Sequence, residues 1–205
     1  MNLNNFKLCL SILIFIFLLN CASQIANLDS KGQNIICFGD SITSGEGVGI
    51  KDSYPSILSK LLKRKVINAG RPGDTTQTAL KRLDSDVLSK DPYLVIIELG
   101  GNDFLQKVPL EKTLSNIEKI VKKIIEKGAI VVLCDISSGF LLSEYRKGYK
   151  KIARKYKAIF IPELLKGIIE NPYLKSDFIH PNKEGHKKIA YRIYETLKEY
   201  NLFSK

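Results

Sequence analysis

Three residues of this sequence have side chains that together could carry out acyl transfer at a serine. Ser41 lies in "GDSITSGEG", directly after an apolar segment, and Asp177 and His180 lie in "DFIHPN" near the end of the chain. A serine nucleophile needs a histidine that accepts its proton and a carboxylate that fixes the tautomer of that histidine. The alternative is that Ser41 is a turn residue that caps a helix.

The chain has only two histidines, so the choice of a general base is narrow. A turn through "DFIH" would place Asp177 and His180 on the same side of one loop. His186 lies inside the next predicted helix and is followed by Lys187 and Lys188. We therefore expect His180 to be the base and His186 to be an exposed helix residue.

Five short apolar segments alternate with amphipathic segments along the chain. Most of them show no alternation of apolar and polar residues, as expected of strands that are covered on both faces. The pattern predicts one α/β domain, a three-layer α/β/α sandwich around a five-stranded parallel sheet in the flavodoxin-like order 2-1-3-4-5. The strand segments are "NIICFG" (34–39), "KVINAG" (65–70), "YLVIIELG" (93–100), "AIVVLCDI" (129–136) and "AIFIP" (158–162).

Small and polar residues follow the predicted strands. "GDSITSGEG" follows the first strand, "AGRPGDTT" the second, "GGNDF" the third and "DISSG" the fourth. In a doubly wound sheet the ligand site forms outside the carboxyl ends of the strands. These loops should therefore meet at one edge of the sheet, with Ser41 among them.

Four of these motifs, in this order, resemble the sequence blocks of the SGNH or GDSL hydrolase superfamily. The blocks are "GDSIT", a glycine in "NAGRPGDTT", "GGND" and "DFIHPN". The motifs "ELGGND" and "HPN" resemble in particular the small bacterial acyl hydrolases described as thioesterase, lysophospholipase and arylesterase. The Gly-x-Ser-x-Gly elbow of the α/β-hydrolases is absent.

The resemblance implies a role for five residues and requires no cofactor. Ser41 would be the nucleophile, His180 the base and then the acid, and Asp177 the carboxylate that orients His180. The backbone N–H groups of Ser41 and Gly70 and the side-chain amide of Asn102 would form an oxyanion hole. A glycine permits close approach of a substrate, and an amide donates without carrying a charge.

Structural explanations compete with several of these roles. Gly70 could only permit a turn, and Asn102 could only cap a helix. Asp40 and Asp103 are predicted to bond backbone amides of their loops. Asp74, before "TTQTAL", is predicted to cap a helix.

The first 20 residues are predicted to be a signal peptide of the lipoprotein type. The apolar run "LCLSILIFIFLL" (8–19) has the length of a signal-peptide core and is too short to span a membrane. It ends in "LLNC", which resembles a bacterial lipobox with Cys21 as the lipidated residue. We expect residues 21–33 to be a lipidated tether and residues 34–205 the SGNH hydrolase domain. An ordinary secretory leader and an uncleaved anchor are the alternatives.

These features predict an exported, membrane-anchored lipoprotein of the bacterial cell envelope. The chain carries a formal net charge of +11, which suits attraction to anionic phospholipid surfaces or a merely solvated surface. No nucleic-acid motif accompanies the lysines, so a nucleic-acid partner is not expected, and we expect a monomer. Cys37 and Cys134 lie in apolar segments and are predicted to be buried free thiols, and no metal site is indicated.

The substrate is predicted to be a small acyl ester or a lysophospholipid. Apolar residues after the third and fourth strands could line a groove for the acyl chain. Two alternatives are a carbohydrate O-deacetylase of the same superfamily and a surface lipoprotein that only binds. The groove candidates are Phe104, Leu105, Phe140, Leu141 and Leu142.

Overall fold

The computed structural model of the protein describes residues 25–137 and 142–203. Its five-stranded sheet is parallel throughout and has the order β2-β1-β3-β4-β5, so the predicted fold class and strand order are confirmed. The predicted leader and Cys21 lie outside the described residues. The strands are β1 (Asn34–Gly39), β2 (Val66–Gly70), β3 (Pro92–Glu98), β4 (Ile130–Cys134) and β5 (Ile159–Ile161).

Seven α-helices accompany the sheet in the described part of the chain, and five of them cover its faces. α3, α5 and α6 pack on one face, and α2 and α7 pack on the other. The short helix α1 begins two residues after the end of β1, and α4 begins three residues after the end of β3. The helices are α1 (Ser41–Ser44), α2 (Tyr54–Leu62), α3 (Thr76–Asp86), α4 (Gly101–Leu105), α5 (Leu110–Glu126), α6 (Ser143–Lys155) and α7 (Lys183–Glu199).

Successive strand residues point into two separate cores. In β1, Ile36 and Phe38 pack beneath the three-helix layer, while Ile35 and Cys37 pack beneath the two-helix layer. This follows from the two-residue period of a strand, and it explains why the sequence shows unbroken apolar runs. Cys37 and Cys134 are buried free thiols, as predicted.

Residues 25–33 are part of the folded domain, so the prediction of a tether that extends to residue 33 is wrong. The Ala26 N–H donates to the Lys157 carbonyl at 2.9 Å, and the Asn27 amide donates to the Ile125 and Ala129 carbonyls, both at 2.9 Å. The side chain of Ile25 packs against the core of the two-helix face. The contacted carbonyls precede β4 and β5, so the chain enters at the amino edge of the sheet.

All five strands and both cores lie within residues 25–203. The described residues therefore contain a five-stranded sheet with a hydrophobic core on each face. No helix in the described residues is long and apolar enough to cross a membrane.

His186 is fully buried on α7, so the prediction of an exposed helix residue is wrong. Its Nδ1 accepts the Tyr54 N–H at 3.3 Å, and its ring stacks on the Tyr54 ring with centroids 6.3 Å apart. Burial lowers the pKa of His186 from 6.5 to about 4. The signal was available in the spacing, because His186 lies on the same stripe of α7 as the buried Ile189 and Ile193.

This buried histidine predicts a pH dependence of stability. Between pH 6.5 and 4 the unfolded chain binds more protons at His186 than the native protein does. The free energy of unfolding should therefore fall by about 3 kcal/mol from this group as the pH falls through that window. His186→Gln retains a polar acceptor and should lower stability at pH 7 while flattening the dependence between pH 7 and 4.5.

Urea denaturation at both pH values measures this difference, with His180→Gln, at the more exposed histidine, as the control. Burial raises the pKa of Asp40 to about 6, which has the opposite effect in part of the same window. The contribution of Asp40 is common to wild type and His186→Gln, so it cancels when these two proteins are compared. Equal pH dependence in wild type and His186→Gln would show that His186 is not the responsible group.

Candidate active site

Ser41 is the first residue of α1, directly beyond the carboxyl end of β1. Asp40 is the N-cap of this helix, and its Oδ1 accepts the Ile42 N–H at 3.1 Å. The prediction that Asp40 bonds a loop amide is therefore confirmed. The cap fixes the turn from strand to helix and with it the position of the Ser41 hydroxyl.

His180 lies between Ser41 and Asp177 at hydrogen-bond distance from both. His180 Nε2 is 3.0 Å from Ser41 Oγ, and His180 Nδ1 is 2.7 Å from Asp177 Oδ2. The other carboxylate oxygen of Asp177 accepts the backbone N–H groups of Ile179 at 2.9 Å and His180 at 2.8 Å. The side-chain bond to His180, with these two amides, lowers the pKa of Asp177 to about 2, so this carboxylate is ionised at neutral pH.

The loop that carries Asp177 and His180 is held by Asn182. Its amide donates to the Tyr173 carbonyl at 2.9 Å and the Lys175 carbonyl at 3.3 Å, while its Oδ1 accepts N–H groups of the first turn of α7. The Ser176 N–H also donates to the His180 carbonyl at 2.9 Å. The "HPN" motif thus closes the loop and caps the next helix at the same time.

Asn102 lies on α4, beyond the carboxyl end of β3. Its Nδ2 donates to the Asp74 carbonyl at 3.0 Å and has a long 3.4 Å contact with Asp40 Oδ2. Gly100 makes the turn from β3 at a φ of 113°, and a Cβ there would overlap the Tyr149 hydroxyl. Asn102 is therefore brought to the Ser41 side of the edge with one amide hydrogen only weakly engaged.

The structure gives a packing reason for a glycine at position 70, and this reason could not be inferred from the sequence. A Cβ at Gly70 would overlap the backbone of Thr43 and Ser44, so the glycine lets β2 pack against α1. Its N–H donates to Asn68 Oδ1 at 2.9 Å. The group that approaches Gly70 closely is therefore the backbone of α1 and not a substrate. The Gly70 N–H, which was expected to bind an oxyanion, is instead hydrogen-bonded to the Asn68 side chain.

Two buried carboxyl groups, Glu98 and Asp40, lie beneath Ser41. Glu98 at the end of β3 is hydrogen-bonded to Asp40, and Glu98 Oε2 accepts the Thr43 hydroxyl at 2.8 Å. Burial raises the pKa of both groups, that of Glu98 well above its usual range. Glu98 is thus the protonated partner, and Asp40 accepts its hydrogen bond.

The other aspartates position the loop after β2. Asp74 is paired with the buried Arg82 and is not the predicted helix cap, because Thr75 caps α3. Arg82 also donates to the Gly39 carbonyl at 3.0 Å and the Ala69 carbonyl at 2.9 Å, which ties together the ends of β1 and β2. Asp103 accepts the Thr76 N–H at 2.7 Å, so it does bond a backbone amide, but this amide belongs to α3 and not to a loop as predicted.

A cavity of about 220 Å³ opens beside Ser41 and His180. Phe104, Leu105 and Leu142 line it, as predicted, whereas Phe140 and Leu141 lie outside the described residues. Its remaining walls are mainly aliphatic side chains from α1 and from the loops after β4 and β5. These are Ile42, Ile136, Leu165, Ile169 and Ile179.

Comparison with known proteins agrees with this geometry. The GDSL-like Lipase/Acylhydrolase family matches residues 37–188. An arylesterase of Vibrio mimicus is 32% identical over 196 residues, which cover 90% of this chain and 95% of the relative. The thioesterase 1/protease 1/lysophospholipase L1 of Escherichia coli is 28% identical over 184 residues, which cover 86% of each protein.

The solved structures include the same architecture. The psychrotrophic esterase EstA from Pseudoalteromonas sp., inhibited by monoethylphosphonate, has a TM-score of 0.74 and 25% identity, over 82% of this chain and 98% of the esterase. The fold, the family match and the similarity to these relatives therefore all extend over the same domain. The chain belongs to the GDSL-like lipase/acylhydrolase family and is a carboxylic ester hydrolase.

Proposed function

We propose that the protein hydrolyses carboxylic or thio esters of acyl chains through a triad of Ser41, His180 and Asp177. The observation that carries the proposal is the pair of contacts on His180, 3.0 Å to Ser41 Oγ and 2.7 Å to Asp177 Oδ2. One imidazole can then take the serine proton while the ionised carboxylate holds its other nitrogen in the donor tautomer. A protein that only binds has no need of this arrangement.

The reaction follows from these positions. His180 Nε2 takes the hydroxyl proton as Ser41 Oγ attacks the carbonyl carbon, and it returns this proton to the departing alcohol or thiol. Water then enters, loses a proton to the same nitrogen and attacks the acyl-serine, which releases the acid and restores Ser41. Asp177 stays ionised and stabilises the imidazolium that forms in each half.

The oxyanion would be held by hydrogen-bond donors at the same edge of the sheet. The Ser41 N–H has no hydrogen-bond partner within the described residues, and Asn102 offers its weakly engaged amide hydrogen. Asn102 donates to the Asp74 carbonyl, which brings the loop after β2 next to Asn102. Gly73, with a φ of 80°, directly precedes Asp74 in that loop. We assign the third donor to Gly73 in place of Gly70. One such donor typically lowers the barrier by about 3 kcal/mol.

The cavity favours an acyl chain over an acetyl group. Its walls are mostly aliphatic and aromatic, whereas a deacetylase acting on a polysaccharide would need polar groups for the sugar. A lysophospholipid or another ester of a medium-length acyl chain fits this description. The basic net charge of +11 supports substrates at anionic lipid surfaces.

Export and anchoring remain part of the proposal. The apolar run at 8–19 and Cys21 in "LLNC" support a lipoprotein of the cell envelope. Removal of the lipid from the mature protein should release it from membranes while leaving its esterase activity in place, because the fold lies within residues 25–203.

Loss of the Ser41 hydroxyl tests the nucleophile. In the chain from Ala22 onward, Ser41→Ala should lower kcat/KM for p-nitrophenyl esters by at least about 10³-fold. Ser44→Ala is the matched control, since it also removes a serine hydroxyl from α1. The Ser44 hydroxyl donates to the Ser41 carbonyl at 2.9 Å. An alkyl fluorophosphonate should add its mass to the peptide that contains Ser41 in wild type and in Ser44→Ala. Equal activity of wild type and Ser41→Ala would refute the proposed mechanism.

The protonated state of Glu98 predicts that glutamine can replace it. Glu98→Gln retains a neutral donor to Asp40 and an acceptor for Thr43, so kcat at pH 8 should stay within about threefold of wild type. Glu98→Ala leaves both partners without their bond and should lower kcat by at least about tenfold, or roughly 1.4 kcal/mol. Circular dichroism checks the fold of both variants. If glutamine is as harmful as alanine, an ionised Glu98 is required and the assignment fails.

The cavity predicts a dependence on acyl length. Across p-nitrophenyl esters from acetyl to palmitoyl, kcat/KM should rise from acetyl to a medium chain, because each buried methylene contributes about 0.8 kcal/mol. Ile169→Phe narrows the cavity and should lower kcat/KM for the medium chain while leaving acetyl hydrolysis within about twofold. A maximum at acetyl would instead favour the O-deacetylase alternative.

A further inference from the structure

Several large apolar side chains on or next to the segments that form the cavity are strongly exposed. Phe178 is 92% exposed, Tyr173 89% and Ile50 79%, the highest values among the large apolar residues that the structure describes. Scattered exposed apolar residues are normal, but a contiguous group indicates an interaction surface. We name the group of Ile50, Phe104, Leu105, Phe178 and Ile179 the mouth rim.

The residues of the mouth rim come from segments that line the cavity or pack against its walls. Phe104, Leu105 and Ile179 line the cavity itself, and Phe178 directly precedes Ile179. The loop that leads to Ile50 packs against the His180 loop, since a Cβ at Gly47 would overlap the Ser176 hydroxyl. An ion pair of 3.2 Å between Lys183 and Asp52 joins the same two segments.

Lysines alternate with these apolar residues. Lys51 follows Ile50, Lys107 lies two residues after Leu105, and Lys175 Nζ donates to the Phe178 carbonyl at 3.1 Å. Of the carboxylates on these segments, Asp52 is paired with Lys183 and Asp177 with His180, while Glu46 directly precedes Gly47 on the loop that leads to Ile50. The local charge therefore suits an anionic partner.

We propose that the mouth rim is a docking surface for an anionic lipid surface, from which an acyl chain enters the cavity directly. The apolar side chains would lie at the boundary between headgroups and acyl chains, and the lysines would meet the headgroup phosphates. A protein partner fits less well, because the centre of a protein interface is depleted in lysine. Entry of the acyl chain rests on the proposed esterase function, whereas the docking itself does not.

Vesicle binding by a catalytically inactive protein tests the docking. Ser41→Ala in the chain from Ala22 onward should sediment with phosphatidylglycerol vesicles at least about tenfold more strongly than with phosphatidylcholine vesicles, and more weakly at high salt. Adding Ile50→Ser and Phe178→Ser should weaken binding to anionic vesicles by about tenfold or more. Adding Leu28→Ser and Tyr200→Ser is the matched control, since these exposed residues are not part of the mouth rim, and binding should stay within about twofold.

Esterase assays keep the two proposals distinguishable. With Ser41 intact, Ile50→Ser/Phe178→Ser should hydrolyse soluble p-nitrophenyl butyrate within about threefold of wild type, which also shows that the variant folds. The proposal is overturned if the rim variant binds vesicles like its parent, if the control variant loses as much, or if the parent does not bind. Self-association that these two substitutions abolish, without vesicle binding, would identify a second copy as the occupant instead.

Discussion

The alignment of β1 with β3 is the constraint on which the candidate site depends. Gly39 pairs with Glu98 across these strands and with Gly70 on the other side, so the loops after all three strands begin at the same level. Strand order reverses between β1 and β3, and helices leave toward opposite faces there, which opens a crevice at this point of the edge. Ser41, Asn102 and the Asp40–Glu98 pair all lie in that crevice because the register puts them there.

The carboxyl edge of the sheet contains several buried polar and charged side chains, and burial destabilises a charged group. An isolated carboxylate in the core is unfavourable, and a shared proton between Asp40 and Glu98 reduces two buried charges to one. Arg82 likewise satisfies Asp74 and two strand-end carbonyls at once. Each group therefore has several partners, so the position of Ser41 is fixed by a connected network rather than by one contact.

The features that the sequence predicted well are those whose cause is local. Unbroken apolar runs indicate strands covered on both faces, and the short span from Asp177 to His180 is enough to fix their relative position. Gly70 and Glu98 could not be interpreted in the same way, because their neighbours, Ser44 and Asp40, are distant in sequence and are met only through strand pairing. Residues 25–33 resembled a tether because their bonds go to carbonyls roughly a hundred positions away.

The point at which the chain enters the domain bears on how an anchored molecule would work. Ile25 lies at the amino edge of the sheet and Ser41 at the carboxyl edge, separated by at least the length of β1, about 20 Å. Cys21 precedes Ile25 by four residues, which span at most about 14 Å. An acyl anchor at Cys21 would thus hold the amino edge near its membrane and turn the mouth rim outward. The rim would then meet a lipid surface other than the one that holds the anchor, so anchoring and docking would serve different surfaces.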